Sequence, residues 1–68
     1  MNTAWFTFGQ SHWHVINNVV FDKDTVVEIS ADNPREEMFK MFGRKWSMQY
    51  DKPPDMRHFP KGIIKLAL

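Results

Sequence analysis

The sequence predicts a small α+β domain: an antiparallel sheet with one helix packed across one face, in the order β-β-β-β-α-β-β. Three observations lead there. Short runs of β-branched and aromatic residues recur between turn formers, a single capped amphipathic segment sits mid-chain, and 68 residues leave room for one domain spanning 1–68.

Taken in order, Ala4-Trp5-Phe6-Thr7-Phe8 is rich in strand formers and stops at Gly9, with Phe6 and Phe8 on one face. His12–Ile16 and Val19–Phe21 flank Asn17-Asn18, a pair that tolerates the positive φ angles of a two-residue hairpin turn. After a turn at Asp22-Lys23-Asp24, Thr25–Ser30 alternates, with Val27 and Ile29 on one face.

The helix is the most strongly signalled element. Asn33 can cap the free N–H groups, Pro34 sits where its missing N–H costs nothing, and Glu36 falls at N3 of a capping box. Glu36 and Glu37 face the positive end of the helix dipole, Glu36 can pair with Lys40, and Met38, Met41 and Phe42 recur on one side. Gly43 supplies the left-handed C′ residue. Trp46-Ser47-Met48-Gln49-Tyr50 then alternates as a half-buried strand, with Trp46, Met48 and Tyr50 directed one way and Lys45, Ser47 and Gln49 the other. Pro53-Pro54 forces a loop, and Ile63–Leu66 closes the chain as an edge strand. The expected core is Phe6, Phe8, Val27, Ile29, Met38, Phe42, Trp46, Met48 and Ile64.

Composition narrows the function classes. Without cysteine there is neither a disulfide nor a thiolate metal site, and a reducing cytoplasm is the simplest compartment. No apolar run reaches membrane-spanning length, and Met1-Asn2-Thr3 does not open a signal peptide, so a soluble, unprocessed protein with no membrane partner is expected. Net charge is +1, yet residues 1–31 carry −2, residues 32–39 carry −2 and residues 40–68 carry +5. A basic half suits an anionic partner, and equally suits plain solubility.

Three local features can carry chemistry. Gly9-Gln10-Ser11-His12 can present N–H groups and side-chain donors to an anion, or Gly9 can simply permit a bend. His12 and His14, at i and i+2 on an extended segment, share a face; with His58 they suggest a metal-dependent enzyme, against which stands the ordinary role of surface histidines as hydrogen bonders. Arg44 and Lys45 follow the helix C-terminus, where they either balance its dipole or, with Gln49, bind an anion. Phosphate-loop and dinucleotide fingerprints are absent, as is a nucleophile elbow, so the chain reads as no enzyme and no cofactor or metal is called for.

Phe6-Thr7-Phe8-Gly9-Gln10-Ser11-His12, the Asp22-Lys23-Asp24 turn, and Met41-Phe42-Gly43-Arg44-Lys45-Trp46-Ser47-Met48-Gln49-Tyr50 resemble small accessory proteins of tailed bacteriophages. The resemblance implies a protein that disables a host factor by binding. The expected function is therefore a non-enzymatic, phage-encoded binding protein in the host cytoplasm, antagonising antiviral defence by sequestering an anionic, nucleotide-like ligand or masking a host protein. Its ligand contacts would be Gln10, His12, His14, Arg44, Lys45 and Gln49. The alternative is a small nucleic-acid-binding protein using the basic half from Lys40 to Lys65. The surplus of aromatic side chains adds the expectation of a homodimer.

Overall fold

The structure, a computed structural model, describes residues 1–66. It is an α+β arrangement of six strands and one helix: β1 Asn2–Thr7, β2 His14–Ile16, β3 Val19–Phe21, β4 Thr25–Ala31, α1 Pro34–Phe42, β5 Met48–Tyr50 and β6 Gly62–Leu66, with a 3-10 turn at Met56–His58. Four strands form one sheet in the order β5-β1-β4-β6, and β2 pairs with β3 in a separate hairpin.

The element order matches expectation, but the main sheet is mixed rather than antiparallel. β1 is antiparallel to both β4 and β5, whereas β6 lies parallel to β4, with Val27 opposite Ile64. The cause is the path of residues 51–61. β5 and β6 sit at opposite edges and run the same way, so the connection must cross the sheet and return along its length, as parallel entry requires. Lys61 anchors its far end, donating its N–H to Asp24 O at 3.1 Å and its ammonium to Asp22 Oδ2 at 2.7 Å.

Helix α1 starts and stops where its caps dictate. Asn33 Oδ1 accepts from the Glu36 N–H at 3.2 Å, while the Glu36 carboxylate turns to Lys40 at 3.7 Å. At the other end Gly43 donates to Phe39 O at 3.0 Å. Its backbone, at φ 63° and ψ −131°, lies past the left-handed helical well expected of a C′ glycine, still in the positive-φ territory that side chains avoid.

The helix buries Met38 and Phe42 against Ala4, Phe6, Val27 and Ile29 of β1 and β4. The hairpin joins this core through side chains alone. Phe21 and the His14 ring, opposite each other in the hairpin, pack on Phe42 at 5.3 and 5.0 Å between ring centroids, and Phe8 lies 5.1 Å from Phe42. Asn17 and Asn18 take φ 51° and 67°, the positive values that a two-residue turn demands.

Register places Trp5, Thr7, Val26, Glu28, Met48 and Lys65 on the sheet face away from the helix. There Trp5 Nε1 donates to Glu28 Oε1 at 2.9 Å, and Glu28 Oε2 meets Lys65 Nζ at 3.9 Å. Thr7 and Val26 are buried on this face even though the helix lies on the other. Residues 51–61, half-buried at Pro54, Met56 and Phe59, connect the two opposite edges of the sheet.

Three core expectations need correction, the first being Ile64, which packs against the core from the edge strand β6 and is only half-buried. Met48 is 52% exposed, because only Met48–Tyr50 is strand and in that register Gln49, opposite Phe6, faces the helix side. Trp46 lies before the strand and reaches the helix-side core from the connection, edge-on to Phe6 at 5.2 Å and half-buried rather than enclosed. Ala4, Phe21 and Val26 are buried as well.

Candidate functional site

Beside β5, on the helix side of the sheet, an open groove of about 490 Å³ is lined by Arg35 and Phe39 from α1, Arg44 and Trp46 from the following connection, Gln49 from β5, and Asp51 beyond it. The local sequence explains its form. Gly43 turns the chain, Lys45 N–H closes on Phe42 O at 3.2 Å, and Trp46 Nε1 donates to Gly43 O at 3.0 Å, so the indole is fixed against the helix end. Ser47 N–H then donates to Thr7 O at 2.8 Å and brings the chain alongside β1.

Arg35 is the best-held cation of the groove. Its guanidinium carbon lies 5.3 Å from the Phe39 ring centroid and 5.2 Å from that of Trp46, whose rings meet edge to face at 5.5 Å. One terminal nitrogen donates to Gln49 Oε1 at 3.3 Å. Two aromatic rings and an amide thus orient a planar fork whose remaining donors stay available. Arg44 stands on the same groove, and among the described residues neither guanidinium has a carboxylate within ion-pair distance. A second open groove of about 480 Å³ adjoins on the side of Asn2 and Asp32 and shares Gln49 and Asp51 with the first.

The six residues expected to contact a ligand are not brought to one place. Arg44 and Gln49 share the groove just described. Gln10 and His12 line a separate depression of about 270 Å³ with Trp13, Val20, Asp22 and Lys23. His14 is turned inward against Phe8 and Phe42, and its Nε2 lies 2.8 Å from Lys45 O. A carbonyl only accepts, so Nε2 carries the proton of that bond. Through it His14 ties the hairpin to the helix end. Lys45 contributes its backbone to that tie, and its side chain is exposed.

The supposed common face of His12 and His14 fails for a plain reason: β2 begins at His14, so strand alternation does not extend back to His12. Among the described residues no three His, Asp or Glu side chains are grouped to hold a metal ion. No helix there is long and apolar enough to cross a membrane.

Arg35 is the residue that sequence reading missed. A cation in the first turn opposes the helix dipole and looks incidental. Its i, i+4 spacing to Phe39 was the available signal, since those positions meet on a helix surface. The Trp46 and Gln49 contacts depend on where the strand returns and left no local trace.

Comparison with known proteins yields no matching family model, curated protein or solved structure.

Proposed function

We propose that this is a non-enzymatic, phage-encoded binding protein that antagonises a host function, antiviral defence in the first place, by capturing an anionic, nucleotide-like ligand in the Arg35–Arg44 groove. The observation that carries the reading is the pair of guanidiniums on one groove with no carboxylate partner among the described residues, one of them already oriented by Phe39, Trp46 and Gln49. Binding through a fork already held in place costs little further side-chain entropy, and a planar fork suits phosphate oxygens. The phage assignment draws on the sequence resemblance, and a cytoplasmic site of action on the absence of cysteine.

Diffuse nucleic-acid binding by the basic half has less support. Four of its seven cations are paired: Lys40 with Glu36 and Glu37, Arg57 with Asp55, Lys61 with Asp22, and Lys65 with Glu28.

Native mass spectrometry of the protein purified from bacterial cells, with and without a panel of linear and cyclic nucleotides, tests the proposal. A retained or added nucleotide mass is expected, lost in Arg44→Ala and kept in Lys40→Ala. An unliganded mass across the whole panel would sink ligand capture, and capture partners from host lysate would then point to a masked protein.

A further inference from the structure

The groove is not uniformly cationic. Asp51, just past β5, also lines it and borders the adjoining groove. Among the described residues Asp51 has no ion-pair partner, and its side chain is exposed. A carboxylate there repels a polyanion and accepts from hydroxyl or amino groups. Beside the charges the groove offers an apolar ring: Phe39 is 40% exposed, with the half-buried Trp46 packed edge-on to it. A volume near 490 Å³ lies within the range of small-ligand sites, roughly 300–1,000 Å³.

These features suit a ligand that combines one anionic group, a flat apolar part and hydrogen-bond donors. We infer that the groove takes a nucleoside monophosphate, its phosphate on Arg35 and Arg44, its base against Phe39, and a ribose or base donor on Asp51. This rests on the capture reading above and narrows it from anions in general to a singly phosphorylated nucleoside. Arg35 is then the anchoring contact. With Phe39 and Trp46 fixing its plane, it can offer two parallel N–H groups to one phosphate, which a lysine cannot do.

The test is calorimetric titration of the full chain with inorganic phosphate, ribose 5-phosphate, and the monophosphates of adenosine, guanosine, cytidine and uridine. At least one nucleoside monophosphate should bind ten times or more tighter than phosphate. Arg35→Gln should lower that affinity at least tenfold. Asp51→Asn should weaken the nucleotide about fivefold while leaving phosphate unchanged or slightly tighter, because it removes both an acceptor and a repulsion.

A merely electrostatic role for Asp51 would raise both affinities, and that result overturns the inference. So would equal affinity for phosphate and all four nucleotides, although capture of anions would then survive. Absence of binding by any of these anions removes both. Thermal melts of each variant separate lost contacts from lost fold, and Arg35→Lys keeps the inference testable should Arg35→Gln unfold.

Discussion

At Gly9 conformation and packing make the same demand. Its φ is +70°, and a Cβ placed there would lie 3.1 Å from Ser47 Cβ, where the chain comes alongside β1. Gly9→Ala should therefore cost about 1–2 kcal/mol from backbone handedness alone, more if Ser47 cannot yield. A melting temperature within a degree of the parent would show that this contact is dispensable. Asp22 makes a different kind of demand. Its carboxylate takes Lys61 at 2.7 Å, the Asp24 N–H at 3.0 Å and the Thr25 hydroxyl at 3.3 Å. The Lys61 hydrogen bond is the largest influence holding its pKa below the ordinary aspartate value. A depressed folded pKa means stabilisation that is present above the unfolded value, about 3.9, and disappears as pH falls through the folded one. Asp22→Asn should melt lower than the parent at pH 7, and the gap should close on acidification below about pH 4. A gap independent of pH would assign the effect to packing. Residue-scale chemistry of this sort was only half legible: the Asp22–Asp24 turn could be read from the chain, whereas Lys61 lies 39 positions away and no local pattern announces it.

Elements were read best where their signals are local. The helix from Pro34 to Phe42 has its cap, its proline and its terminal glycine within eleven positions, and all three act as expected apart from the ψ of Gly43. Asn33→Ala should remove the 3.2 Å cap to Glu36 N–H and cost about 1 kcal/mol, which for a domain of this size lowers the melting temperature by about 4–8 °C. Helicity unchanged and melting unshifted would mean that tertiary packing of Met38 and Phe42 alone specifies the helix start. The hairpin turn obeys the same logic. Asn18→Gly should hold or raise stability, since glycine takes φ 67° freely, and Asn18→Val should lower it. Equal melting of the two variants would mean the turn is not held in this geometry. Strand β5 was read wrongly at its start because alternation cannot say which residue first pairs. Trp46 looked like the first member of the strand, but Ser47 N–H is where bonding to Thr7 begins, and that offset exposes Met48. The edge position of β6 was legible from the prolines before it; its direction was not, because direction depends on how an irregular connection crosses the sheet.

For the molecule as a whole, the charge distribution bears on the choice between the two proposed kinds of anionic partner. The basic half looked available in sequence, yet the fold pairs Lys40, Arg57, Lys61 and Lys65 with acids, two of those pairs, Asp22–Lys61 and Glu28–Lys65, being long-range. What stays available near the groove is a short cationic site at Arg35 and Arg44, bounded by Asp51. A single strand engaging five phosphates would lose affinity with a log–log salt slope of about −3.5, roughly a hundredfold between 50 and 200 mM salt. Capture of one nucleoside monophosphate should vary far less over the same interval, since a mononucleotide has no condensed counterion atmosphere to release. Titrating a nucleoside monophosphate and a twenty-residue oligonucleotide across that range therefore tests the architecture itself. A shallow dependence for the first, with the oligonucleotide binding no tighter, means the fold has spent its basic half on internal pairs and kept two arginines for a small ligand. A steep dependence with tighter oligonucleotide binding would mean that the exposed pairs open on contact and that the cations act together as one surface.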